Sequence, residues 1–182
     1  PVIASSMNES GRPLRRAVII GGSFTGMTAA KVLSEHFDSV LIIERDQVSE
    51  QRELRRGVPQ SAQPHGLQLR GRAELNKLFP GYVDEVKAAG GNEIDLGSEM
   101  ARFTPWGWAP THSVDAHGLL ASRPLMETTI RRLLARDCPD VQWLKGVRVR
   151  DLCFEHVDGV PKVTGVRTDA SDEALREIDG YF

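Results

Sequence analysis

One stretch near the start of the chain constrains its fold more than any other. A short apolar run, Ala17-Val18-Ile19-Ile20, breaks into Gly21-Gly22-Ser23-Phe24-Thr25-Gly26. Four apolar residues bounded by glycine suit a strand buried on both faces. Met27, Ala30, Leu33 and Phe37 then recur at helical spacing, and the helix should end near Asp38-Ser39. Val40-Leu41-Ile42-Ile43 is a second apolar run, closed by Glu44. Strand, glycine turn, helix and strand make a βαβ unit whose crossover should be right-handed. The predicted class is α/β with a parallel sheet.

The turn also predicts chemistry. A dinucleotide-binding turn needs a first small residue for the tight bend, a second for close approach of a pyrophosphate, and a third for helix–strand packing. Gly21, Ser23 and Gly26 fill those places. Ser23 departs from the glycine pattern, but its hydroxyl can bond a phosphate oxygen. A helix beginning near Thr25 aims backbone N–H groups and a positive dipole end at an anion. Glu44, 23 positions after Gly21, suits the acid that holds a ribose hydroxyl. It would repel a 2′-phosphate, which favours an unphosphorylated adenosine ribose. The turn alone does not choose between NAD and FAD.

Composition narrows the partners. The 182 residues carry 23 Lys+Arg against 25 Asp+Glu, a formal charge of −2, which argues against a general nucleic-acid binder. No apolar run approaches the ~20 residues of a membrane span, and the N-terminus has no secretory pattern. Cys138 and Cys153 make neither a disulfide framework nor a zinc site, so a cytoplasmic setting is expected. Arginine outnumbers lysine 18 to five; base composition of the genome is the ordinary cause, and phosphate gripping is the functional one. Residues 51–72 are arginine-rich and could meet an anion, whereas 169–182 are acidic and read as solvated surface.

Along the chain, residues 1–14 read as a flexible tail, with Met7 a candidate natural start. Residues 15–182 read as one incomplete domain, with 80–121 inserted as strands and loops toward a substrate region. Gln47 to Gln63 reads as loop, and His65 to Phe79 contains a helix carrying Leu67, Leu75 and Leu78. Tyr82 to Ala89 is a short helix closed by Gly90-Gly91. Ser122 caps a helix to Asp137, with Pro124 in its first turn. Val141 to Leu144 is a strand, and Arg148–Phe154 with Lys162–Thr168 form a hairpin around Asp158-Gly159. Asp84 and Glu85 read as a solvated helix face and Cys153 as core. His65 and His112 are weak acid–base candidates, and no Ser/His/Asp set has convincing context.

Further strings fit one family. Arg55-Arg56-Gly57-Val58-Pro59-Gln60, Gln63-Pro64-His65-Gly66-Leu67, Arg70-Gly71 and Ser122-Arg123-Pro124-Leu125-Met126-Glu127 join Gly21 to Gly26 and Ile43-Glu44-Arg45. Together, over about residues 15–170, they resemble the N-terminal part of the FAD-dependent monooxygenase superfamily, the aromatic-hydroxylase-like flavoproteins. The resemblance implies a Rossmann-like FAD domain. It places Gly21, Gly22, Ser23, Thr25 and Gly26 at the pyrophosphate and Glu44 at the adenosine ribose, with Arg45 beside it. It also places Arg55 and Arg123 along the cofactor, and the Val147 backbone at the adenine. It implies NAD(P)H as reductant, O2 as co-substrate and an aromatic or polyketide-like small molecule as substrate. No protein nucleophile is required, and the catalytic residues stay unassigned.

Three other readings stay open. One is a flavin-dependent reductase or dehydrogenase of the same fold. Another is a halogenase, since Trp106-Gly107-Trp108-Ala109-Pro110 approaches W-x-W-x-I-P but lacks the isoleucine; otherwise these rings should pack or floor a substrate region. The third is a truncated, non-catalytic nucleotide-binding module. The family's later D-A-x-G-x-x-S-like and G-D-A turns do not occur here. The chain is therefore expected to be incomplete alone, needing a C-terminal portion or a partner chain, with an unpaired sheet edge at Ala17 to Ile20.

Overall fold

A computed structural model describes residues 15–49, 51, 54–55 and 59–180. In chain order the elements are β1 (Arg16–Ile20), α1 (Phe24–Leu33), β2 (Ser39–Glu44), β3 (Pro64–Leu67), α2 (Leu69–Leu78), α3 (Tyr82–Ala88), β4 (Asn92–Asp95), β5 (Phe103–Thr104), β6 (Gly107–Trp108), β7 (His117–Ser122), α4 (Arg123–Asp137), β8 (Val141–Lys145), β9 (Val149–Val157), β10 (Val160–Thr168) and β11 (Glu177–Asp179). The protein is mixed α/β and divides into two compact units, one built from the chain up to Ser49 and from Leu134 on, the other from Glu50 to Leu133.

The first unit holds the predicted βαβ. β1 and β2 pair in parallel with Ala17 opposite Val40 and Ile20 opposite Ile43. β8 joins β2, also in parallel, with Val40 opposite Val141 and Ile43 opposite Leu144. The order is β1-β2-β8, so among the described residues β1 is an outer strand. Its central residues and all of Val40–Ile43 are buried, which is why neither run alternates. α1 lies on one face, where Met27 and Ala30 are fully buried. It ends at Leu33, several residues short of the sequence expectation. Ser34, Glu35 and His36 turn instead, and Phe37 packs half-buried outside the helix beneath the Arg15 guanidinium, 5.9 Å from its ring centroid.

The other face is covered by the antiparallel sheet β11-β10-β9. Val18, Leu41 and Ile43 meet Val166 and Ile178 in one apolar cluster, flanked by Leu144, Val147, Val149 and Leu152. Burying an Ile or Leu of this kind is worth about 1.5–3 kcal/mol each. The β9–β10 hairpin turns through Asp158 (φ 52°) and Gly159 (φ 78°), the pair of left-handed residues that a tight hairpin of this twist requires. β11 corrects the reading of 169–182 as plain surface. Its acids do face solvent, but Ile178 is 2% exposed, and Val166 is its register partner in β10.

In the second unit β7 is central, flanked antiparallel by β3 and β4. The segment from His65 thus begins as a strand before becoming α2. α3 ends as predicted: Gly90 (φ 102°) takes the left-handed position. Gly91 N–H donates to the Val86 carbonyl at 2.8 Å and Gly90 N–H to that of Lys87 at 3.0 Å, the paired closure of a glycine C-cap. The short β5–β6 hairpin leaves Trp106 92% and Trp108 71% exposed. The expectation that these rings pack into a core is corrected by that exposure; Trp108 meets the similarly exposed Phe103 edge to face at 5.1 Å. Asp84 is exposed and Glu85 partly so, and Glu85 is ion-paired on that face to the exposed Arg132.

Candidate functional site: a glycine turn locked by a carboxylate, and a two-arginine clamp

In the first unit, the turn between β1 and α1 has a left-handed first glycine and a third small residue with no room for a side chain, two of the features that a dinucleotide turn uses. Gly21 adopts φ 96°, which favours glycine, and its N–H donates to the Ile43 carbonyl at 2.8 Å. Gly26 sits where α1 crosses the turn: a Cβ there would overlap the Gly21 carbonyl oxygen and lie 3.3 Å from Ile19 Cγ2. Gly22 is buried for a different reason. A Cβ on it would enter the ring of Trp143, 2.9 Å from its Cη2. Trp143 stands on β8 opposite Ile42, and its part in packing the turn was not visible in the sequence. Ser23 is the N-cap residue of α1, yet its hydroxyl makes no cap bond. Thr25 lies exposed in the first turn of α1.

Glu44 closes β2 with its carboxylate 3% exposed. One oxygen accepts the Gly22 N–H at 2.7 Å and the other the Asp46 N–H at 2.9 Å. A single buried anion therefore ties the glycine turn to the end of the neighbouring strand. Charge-assisted bonds of this type are the strong class of hydrogen bond. They fix where the carboxylate points. Arg45 follows, exposed. Val147 donates its N–H to the Glu44 carbonyl at 3.2 Å, and Gly146 to that of Asp46 at 3.3 Å. The end of β8 is thereby tied to the end of β2, and the Val147 N–H is engaged within the protein.

In the second unit, Arg55 and Arg123 converge on one carboxylate. Glu127 is 2% exposed. Its Oε2 accepts Arg55 Nη1 at 3.1 Å and its Oε1 accepts Arg123 Nε at 2.8 Å. Arg123 Nη1 also reaches Gln60 Oε1 at 3.4 Å, and the Ser61 hydroxyl donates to the Arg55 carbonyl at 3.4 Å. The sequence strings name the two arginines separately and give the carboxylate that joins them no role. Its signal was the four-residue spacing of Arg123 and Glu127 on one helix face. Arg56, Gly57 and Val58 lie outside the described residues.

A third organised carboxylate, unforeseen like Glu127, is Asp95 at the end of β4. It accepts N–H bonds from Gly97 at 2.7 Å and Ser98 at 3.1 Å, and the Ser113 hydroxyl at 2.6 Å. The Ser113 hydroxyl first, then the Gly97 N–H, hold this carboxyl well below the usual carboxylate range. Asp95 thereby pins the 96–98 turn to the 113–115 segment, a structural duty. Neither histidine gains a catalytic setting: His65 Nδ1 lies 2.8 Å from the Gln63 carbonyl, and His112 is exposed with its backbone N–H on Gly97. Cys153 is buried as expected, and burial raises its thiol pKa. Among the described residues no cluster could hold a metal ion, and no helix is long and apolar enough to cross a membrane.

This architecture recurs among solved structures. PqsL of Pseudomonas aeruginosa, described as a probable FAD-dependent monooxygenase, matches over 92% of this chain and 40% of its own, with TM-score 0.60 and 16% identity. Its complex with 2-aminobenzoylacetate matches at TM-score 0.64. The chain has the fold of part of an FAD-dependent monooxygenase. A tetrameric 2-methyl-3-hydroxypyridine-5-carboxylic acid oxygenase matches at TM-score 0.59 and 17% identity, over 92% of this chain and 38% of that one. In sequence, Protein Rv3254 of Mycobacterium tuberculosis is 42% identical over 126 residues. The chain spans 27% of that relative's length and about two fifths of these two monooxygenase-fold structures. No protein-family model matches the chain. The resemblance drawn from the sequence strings is thus supported at the level of the monooxygenase fold.

Proposed function

We propose that this chain is the FAD-binding part of a flavin-dependent oxidoreductase, an NAD(P)H-dependent monooxygenase acting on an aromatic or polyketide-like small molecule. The observation that carries the reading is the Glu44 carboxylate bonded to Gly22 of a turn whose third small residue, Gly26, has no room for a Cβ. The residues present fit the cofactor. Gly21, Gly22, Ser23, Thr25 and Gly26 would hold the pyrophosphate, with the α1 N-terminus supplying N–H donors and dipole. Glu44 would take an adenosine ribose hydroxyl while keeping its two backbone bonds, since each carboxylate oxygen has capacity for more than one donor. Arg45 and the Val147 backbone would border the adenosine end. Arg55 and Arg123, whose forked donors suit phosphate oxygens, would complete the cationic contacts.

FAD bound there would supply the redox chemistry with NAD(P)H and O2, and the protein's part is to bind, orient and keep water out. Glu44 does its share by being an acceptor already aimed by its two backbone bonds and shielded from water. The test is to purify the longest natural protein containing this chain and to ask whether it is yellow, releases FAD on denaturation and oxidises NAD(P)H. A folded, colourless protein that takes up no added FAD would sink the reading.

A further inference from the structure

A carboxylate buried between two guanidiniums needs an explanation beyond stability. Glu127 is 2% exposed, and the side chains of Arg55 and Arg123 are 9% and 15% exposed. Removing three charged groups from water costs heavily, and apolar residues of similar size often hold a fold as well or better. What such a cluster does supply is fixed geometry. Arg123 is tied to Glu127 within one helix, one turn apart. Arg55 is 72 residues distant in sequence and reaches the same carboxylate from a non-helical segment. Each oxygen of Glu127 serves a different arginine, so its position fixes the separation of the two guanidiniums. Arginine side chains carry about 2 kcal/mol of rotamer entropy when free, and a pair held in advance gives up less on meeting an anion.

We propose that Glu127 is a positioning residue that presets Arg55 and Arg123 as a paired receptor for the phosphate oxygens of the dinucleotide. It touches no cofactor atom itself and acts through the arginines. This rests on the FAD reading above, and the experiment separates the two. FAD affinity is measured by flavin fluorescence in the full-length protein carrying this chain, well below its unfolding temperature. The variants are Glu127→Gln, Arg55→Met, Arg123→Met and their combinations.

Glu127→Gln should raise the Kd at least about tenfold, and with both arginines replaced the same change should alter it by less than about twofold. A merely structural role would weaken binding equally in both backgrounds. Glu127→Asp keeps the charge and guards against misfolding but withdraws the carboxylate by one methylene; it should raise the Kd at least about threefold. If Arg55→Met or Arg123→Met weakens FAD binding while folded Glu127→Gln and Glu127→Asp bind like wild type, the inference is overturned and the cofactor reading stands. If neither arginine variant changes the affinity, the inference falls and the cofactor reading stands on Glu44 and the glycine turn; if the wild-type protein takes up no FAD, both fall.

Discussion

Gly26 is the residue on which the turn depends most. The atom its Cβ would strike is backbone, the Gly21 carbonyl oxygen, so no side-chain rotation relieves the clash. Gly26→Ala should therefore destabilise the protein by about 3 kcal/mol, at the upper end for overpacking, read as a lowered urea midpoint with unchanged slope. Glu44→Ala strands the Gly22 and Asp46 N–H groups and removes the ribose acceptor. In the full-length protein it should weaken FAD by about 1.5–3 kcal/mol, the worth of a hydrogen bond to a charged group; wild-type affinity in a titration would move the site elsewhere. Asp95 makes a pH prediction. Its folded pKa is depressed, so the stability it contributes is present above the unfolded carboxylate value of about 3.9 and is lost as pH falls through the folded pKa. Asp95→Asn should thus be less stable than wild type at pH 7, with the gap narrowing below about pH 4. Parallel stability curves from pH 7 to pH 3 would show that Asp95 bears no such load. The sequence named Gly21, Gly26 and Glu44 because turn and acid follow a fixed spacing. It missed Glu127 and Asp95 because each also needs a partner from a distant segment: Arg55 and Ser113 meet them only in the fold.

At the scale of elements, legibility follows how local the determining interaction is. The β1-α1-β2 unit, the α3 closure and the β9–β10 hairpin were all readable, since apolar runs, Gly90-Gly91 and Asp158-Gly159 act within a few residues. The end of α1 was not. Phe37 continues the helical spacing, but the helix stops at Leu33 because Ser34, Glu35 and His36 turn toward β2, and Asp38 and Ser39 donate their N–H groups to the Arg15 carbonyl. β3 was missed because Pro64-His65-Gly66-Leu67 has no strand alternation and pairs only through β7. β11 was missed because a single buried residue, Ile178, carries it. The α3 closure is directly testable. Gly90→Ala forces a Cβ into left-handed backbone and should cost about 1–2 kcal/mol, seen as a lower thermal midpoint. Asn, which tolerates that conformation, should recover part of the loss; equal effects of Ala and Asn would mean that the backbone there is not strained.

At the scale of the whole molecule, the three-stranded parallel sheet is the feature that leaves most undone. β1 is its outer strand among the described residues, and after Arg16 it is apolar from Ala17 to Ile20, with Ile20 52% exposed at its end. Natural edges are shielded by charge, proline, bulges or cover, and Ala17 to Ile20 offers no charge or proline. The described chain runs out of β11 beside this strand: a Cβ on Gly180 would lie 3.1 Å from the Arg16 carbonyl oxygen. The solved structures that share the fold are more than twice as long as the part matched here. We therefore expect residues 1–182 alone to self-associate at concentrations on the order of 100 μM and to hold FAD weakly. The longer protein should stay monodisperse in that respect and yellow. Ile20→Lys puts a charge at the exposed end of the edge, where lysine deters strand-to-strand pairing. In the 182-residue chain it should raise the concentration at which light scattering first reports association. If Ile20→Lys and wild type associate alike, the contact lies elsewhere. If wild type is already monomeric and turns over NAD(P)H unaided, the edge at β1 is no liability and the chain needs nothing more to act.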